Sequence, residues 1–101
     1  MPIRYLGLKD LEDSEKIKVK TLTKRYLEKL TRDFKNSLLK VHIKKEEKGG
    51  KRHRYTIISN LEAPTIKLTS EVMDWDLSIA LHKTFKKLEI EATKVSSKLK
   101  L

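Results

Sequence analysis

The sequence predicts an α+β domain, a β-α-β-β-β-α two-layer sandwich whose four-stranded, mostly antiparallel sheet carries both helices on one face. Three observations predict it. Two long stretches place apolar residues at helical spacing, four short stretches alternate apolar and polar residues, and the two kinds interleave in that order. A length of 101 residues supports a single domain over 1–101 with one core. Two helices on one side of one sheet are the economical way to bury every apolar face, with the first helix as a right-handed crossover between strands one and two.

Residues 2–8, PIRYLGL, read as a strand with Ile3 and Tyr5 on one side and Arg4 and Leu6 on the other. The acidic segment Asp10–Glu15 offers Asp13 or Ser14 as a helix N-cap. The spacing of Val19, Leu22, Tyr26, Leu27, Leu30 and Phe34 predicts a helix over about 14–35, although Ile17-Lys18-Val19-Lys20 also fits an extended first turn. Its opposite face holds Lys20, Lys24, Arg25, Arg32 and Lys35. Ser37–Glu46 then alternates, with Leu39, Val41 and Ile43 inward and Lys40, His42 and Lys44 outward. Gly49 and Gly50 supply a turn that needs positive φ. Lys51–Asn60 returns with Tyr55 and Ile57 inward and Arg52, Arg54 and Thr56 outward. After a turn at Asn60–Pro64, a strand over Pro64–Glu71 turns Ile66 and Leu68 inward. From about Asp74 to about residue 98, Leu77, Leu81, Phe85, Leu88, Ala92 and Val95 form one narrow helical stripe. Lys83, Lys86, Lys87 and Lys94 lie opposite, and so do Ile79 and Ile90, which a simple core reading does not predict.

Charge indicates the partner. The chain has 24 Lys+Arg against 14 Asp+Glu, a formal charge of +10. The excess is spread evenly, +6 over residues 1–50 and +4 over 51–101. A folded domain with a basic surface fits this better than a basic tail. The hairpin from Leu38 to Ile58 sets nearly all its outward positions to cations, which points to a polyanion. Nucleic acid leads, and an anionic membrane surface comes second. Lysine outnumbers arginine 19 to 5, which favours attraction to a phosphate backbone over base-edge reading.

Several function classes fall away. With no cysteine, disulfides, thiolate catalysis and cysteine-based zinc sites are excluded. No apolar run approaches the ~20 residues of a membrane span, and the N-terminus lacks the apolar core of a signal peptide, so no membrane association and a cytoplasmic location are expected. His42, His53 and His82 match no metal-ligand spacing, and solvated or hydrogen-bonded histidines are the simpler reading. Glu46, Glu47, Glu89 and Glu91 read as surface charge, in the manner of an i,i+4 pair such as Glu28 with Arg32, rather than as catalytic carboxylates. Without a phosphate loop, a nucleophile elbow or a Ser/His/Asp set, an enzyme is not expected, nor is a cofactor, a metal or a small-molecule substrate. Trp75, at the mouth of the last helix, is either a lid on the core or a platform for a stacked base.

The element order, the basic charge, and the stretches Leu39-Lys40-Val41-His42-Ile43, Ile66-Lys67-Leu68-Thr69-Ser70-Glu71 and Asp74-Trp75-Asp76-Leu77-Ser78-Ile79 resemble the ribosome hibernation-promoting factor family, also called ribosome-associated inhibitors or sigma-factor modulation proteins. The resemblance covers roughly residues 2–98 and is to the short form, without the C-terminal dimerisation domain of the long members. The last stretch looks like the family's Asp-x-Tyr-x-x-Ile helix entry, with Asp76 where the family has Tyr. That alignment would bury Ile79, whereas periodicity buries Leu77. The resemblance implies a non-enzymatic factor that occupies the messenger and transfer RNA channel of the small ribosomal subunit and inhibits or protects idle ribosomes under stress. It implies ribosomal RNA contacts at Lys83, Lys86, Lys87 and Lys94; charge placement adds Arg52, Arg54, Lys24 and Arg25. The alternatives are a general double-stranded RNA or DNA binder, and a homodimeric interaction module using the bare sheet face or the Ile79/Ile90 side.

Overall fold

Period-two alternation lets a strand bury one face and wet the other, and the strands here use it except in β3, where Tyr55, Thr56 and Ile57 are buried in succession. The computed structural model describes residues 3–99 apart from 33, 35 and 51, with residues 97–99 described by backbone alone. Its elements are β1 (Ile3–Leu6), a single 3₁₀ turn (Leu8–Asp10), α1 (Asp13–Thr31), β2 (Leu38–Glu47), β3 (His53–Ala63), β4 (Ile66–Asp74) and α2 (Leu77–Leu99). Lys35 and Lys51, counted above among the cations, and Pro2 of the first strand lie outside the described residues.

The sheet order is β1-β2-β3-β4. β1 runs parallel to β2, and the other pairs are antiparallel. The register sets Leu39 beside Leu61 and Ile43 beside Ile57, so the apolar set of the hairpin falls on the helix side. Above it lie Val19, Leu22 and Leu30 from α1 and Leu77, Leu81, Phe85 and Leu88 from α2, all buried in one core. Where α2 crosses β3 and β4, small hydroxyl residues take the place of aliphatics. Ser59 and Thr84 are fully buried with oxygens 2.9 Å apart, and Thr84 lies 3.2 Å from the Ser70 hydroxyl. Each hydroxyl meets another, as buried polar groups must.

Boundaries differ from expectation for identifiable reasons. The first strand stops at Leu6 because Gly7 turns left-handed at φ 83°, and a Cβ there would lie 2.0 Å from the Ile43 carbonyl oxygen. α1 begins one residue earlier than an Asp13 cap would give and two earlier than a Ser14 cap, with Glu12 in the cap position and its amide donating to Glu15 Oε1 at 2.9 Å. It ends at Thr31 rather than 35, and Asn36, at φ 58°, redirects the chain into β2. Phe34 still reaches the core from outside the helix. Gly49 and Gly50 have positive φ, as expected. The second turn is tighter: β3 continues to Ala63, which pairs with Ile66 across Pro64-Thr65 alone. α2 begins at Leu77, since Asp76 Oδ1 accepts the Ile79 amide at 3.0 Å and acts as its N-cap.

Candidate nucleic-acid interface

α2 is positioned by its cap and its apolar stripe, and the stripe decides where its lysines go. With Leu81, Phe85 and Leu88 buried, helical stepping turns Lys83, Lys86, Lys87 and Lys94 outward, and all four are exposed. Leu77 is buried and Ile79 is 47% exposed, so periodicity and not the motif alignment gives the register. Ile90 is exposed to a similar degree, which sets two aliphatic side chains among the lysines.

The four lysines are not equivalent. Lys83 Nζ lies 3.1 Å from Asp74 Oδ2, and Lys94 lies 3.9 Å from Glu91 one turn back. The Asp76 amide, and after it Lys83, hold the Asp74 carboxyl below its ordinary value. Lys86 and Lys87 have no carboxylate partner among the described residues. Lys24 and Arg25 of α1 are likewise exposed and unpaired among the described residues, as are Lys20 and Arg32. The expected Glu28–Arg32 pair does not form.

An open depression of about 610 Å³ follows the outer surface of α2, lined by Tyr26, Val72, His82, Ile90 and the Lys83, Lys86 and Lys87 side chains. Tyr26 ties the two helices together. Its hydroxyl is 3.1 Å from His82 Nδ1, its ring is 5.4 Å from that of Phe85, and Lys29 Nζ stands 5.7 Å from its centroid. Lys29 therefore joins the cations of this surface. Its position four residues from Arg25, and Tyr26 three before it, were the available signal, but helical spacing alone also made Tyr26 a core residue.

The hairpin is less cationic than its own sequence implies. On the outer sheet face Lys40 pairs with Glu62 at 3.2 Å, and Glu62 also lies 3.8 Å from Lys67. Glu46 lies 3.2 Å from Lys48 and 3.6 Å from Arg54, so Arg54 is partly neutralised. The contact with Lys48, to which Arg54 adds, holds the Glu46 carboxyl below its ordinary value. Lys45 turns toward the helix layer, where its ammonium donates to Glu15 Oε1 at 2.8 Å and the Tyr55 hydroxyl donates to Glu15 Oε2. Burial pushes Glu15 up, yet the Glu12 amide, Lys45 and Tyr55 outweigh it and leave the carboxyl lowered. Burial, with the Glu15 carboxylate beside it, drives Tyr55 far above its ordinary value.

Arg52 and Trp75 meet at this same end. The guanidinium carbon lies 4.5 Å from the indole centroid, and Trp75 is 49% exposed. Trp75 is thus not a lid on the core. It follows the last residue of β4 and faces solvent, between Asp74 and Asp76, whose carboxylates are engaged in holding Lys83 and capping α2.

The predicted site residues consequently fall into two groups. Lys83, Lys86, Lys87 and Lys94 share the α2 face, with Lys24 and Arg25 on the adjoining helix of the same layer. Arg52 and Arg54 sit at the hairpin end, one stacked on Trp75 and the other paired with Glu46. His42, His53 and His82 lie on the outer sheet face, at the hairpin end and on α2; among the described residues no three His, Asp or Glu side chains converge to hold a metal. No described helix is long and apolar enough to cross a membrane.

The fold and this surface define a basic β-α-β-β-β-α domain with an exposed cationic helix layer. Among solved structures, the Protein Y N-terminal domain of Thermus thermophilus matches with a TM-score of 0.62 at 21% identity, over 94% of this chain and 99% of that one. A ribosomal subunit interface protein from Coxiella burnetii matches with a TM-score of 0.62 at 19% identity, over 96% and 99%. The chain therefore has the fold of the Protein Y and ribosomal subunit interface domains, which is the fold the element order implied. No protein-family model matches the sequence, and no curated protein does.

Proposed function

We propose that this domain is a non-enzymatic ribosome-binding factor, which occupies the RNA channel of the small subunit and inhibits or protects idle ribosomes in the cytoplasm. The observation that carries the reading is the α2 face. Lys83, Lys86, Lys87 and Lys94 are exposed together, beside exposed cations of α1, on a fold shared with ribosomal subunit interface proteins. Such a surface suits ribosomal RNA through its phosphates: lysine supplies point charge without the bidentate geometry that reads bases, so RNA shape and path would set where it docks. The work required is occlusion, and it needs no cofactor.

Cosedimentation with small subunits, large subunits and free duplex RNA across a salt series tests the reading. The protein is expected to travel with small subunits at salt that releases it from duplex RNA. The Lys83→Glu, Lys86→Glu, Lys87→Glu triple variant should keep its circular dichroism and lose the subunit. Unchanged cosedimentation of that variant overturns the assignment, and equal affinity for free duplex replaces it with a general double-strand binder.

A further inference from the structure

Trp75 and Arg52 have no part in the lysine surface, yet they are arranged in a way that neither core packing nor charge balance requires. The indole caps nothing, being about half exposed, and the Arg52 guanidinium covers it at 4.5 Å. His53 and Tyr55 complete a cleft of about 270 Å³ around the pair. A guanidinium stacked on a ring keeps its N–H donors directed outward in its own plane, so Arg52 can stack and still bind a phosphate or a base edge. We propose that this cleft is a stacking site for one unpaired nucleobase of a single-stranded RNA segment.

Three features favour a base over other occupants. Aromatic faces beside arginine are the usual platform for splayed bases, because every base has a π-face and stacking is sequence-tolerant. Four of the carboxylates at this end that would repel the neighbouring phosphates are already engaged: Asp74 by Lys83 and the Asp76 amide, Asp76 by the Ile79 amide, Glu15 by Lys45 and Tyr55, and Glu46 by Lys48 and Arg54. This leaves Glu47, opposite His53 in the strand register, without a cationic partner among the described residues. The net charge of +10 draws a strand toward the domain, and α2 connects the two surfaces, starting two residues after Trp75 and reaching Lys83 in its second turn. The inference rests on the RNA-binding reading and adds to it that single-stranded RNA is held at the end of the domain while the lysine face takes the structured part.

Trp75 is the single tryptophan of the chain, so its emission reports on this site alone. The full chain is titrated with an unstructured RNA strand, the same strand with abasic positions, a duplex of equal length, and a lysine-rich peptide. Binding is followed separately by the anisotropy of a dye on the RNA. Quenching is expected with the strand, and not with the duplex or the abasic strand, although anisotropy shows both of these bound. Trp75→Ala should weaken the strand about tenfold and leave duplex affinity unchanged, while Trp75→Phe recovers most of the loss. Binding by anisotropy with unchanged emission overturns the stacking site and leaves the RNA reading standing. Failure of every RNA to bind overturns both. Quenching by the peptide and not by the strand overturns the site as one for nucleobases.

Discussion

Replacing Lys86 and Lys87 together by alanine tests the electrostatic core of the functional reading most directly. Both side chains are exposed and lack a carboxylate partner among the described residues, so their charge is available in full to an incoming phosphate. Each phosphate contact contributes about 0.7–0.9 to the slope of log affinity against log salt, so two lost contacts lower the slope by roughly 1.4–1.8. Between about 50 and about 200 mM salt, that difference means the variant loses about tenfold less affinity than the parent. Lys83→Ala should change the slope less than either lysine alone, because Lys83 already spends its charge on Asp74 at 3.1 Å. Filter binding or anisotropy with small subunits at four salt concentrations gives the slopes directly. The melting temperature should not move, since surface substitutions without partners rarely affect stability. A parent and variant with parallel slopes would refute the argument, even if the variant bound more weakly, because the loss would then not come from phosphate contacts.

Other outcomes bear on the framework that presents this surface. Gly7→Ala should lower stability in urea by about 2–4 kcal/mol, since a side chain there meets the left-handed penalty and a carbonyl 2.0 Å away; an unchanged midpoint would mean that the corner relaxes freely. Thr84→Val should cost about 1–3 kcal/mol by stranding the buried Ser59 hydroxyl 2.9 Å away, again read from denaturant midpoints. Glu15 gives a pH signature. Its folded carboxyl is held below the ordinary value of 4.5, so its stabilising contribution is complete above that value and is lost as pH falls through the lower folded one. Glu15→Gln should therefore flatten the stability curve below about pH 4.5, and cost about 1 kcal/mol or less at neutral pH because the group keeps some solvent. An equally steep acid limb in the variant would assign that pH dependence to other carboxylates.

The apolar pattern made most of the fold legible. Leu77, Leu81, Phe85, Leu88 and Ala92 fix which side of α2 is buried whatever lies beneath it, because a helix turns about 100° per residue and every apolar side chain seeks the core. That same rule exposed Lys83, Lys86, Lys87 and Lys94 and favoured Leu77 over Ile79. Alternation did as much for Leu39, Val41 and Ile43. Helix ends were less legible. Thr31 ends α1 three residues before Phe34, whose apolar side chain prolongs the periodic signal into a segment that is no longer helical.

Charge was legible as a sum and not as a distribution. The sequence by itself determined the element order, the buried stripes and a surplus of cations large enough to imply a polyanionic partner. Only the tertiary structure decided which cations remain available. Lys40 meets Glu62 through a strand register set 22 residues away, Lys45 meets Glu15 across the two layers, Lys83 meets Asp74 where β4 turns into α2, and Arg52, just before β3, finds Trp75 just after the paired β4. The physical reason is range. Burial follows from each element's own periodicity, whereas a charge is neutralised by whichever opposite group the packed fold brings within about 4 Å, and nothing local in the sequence specifies that neighbour.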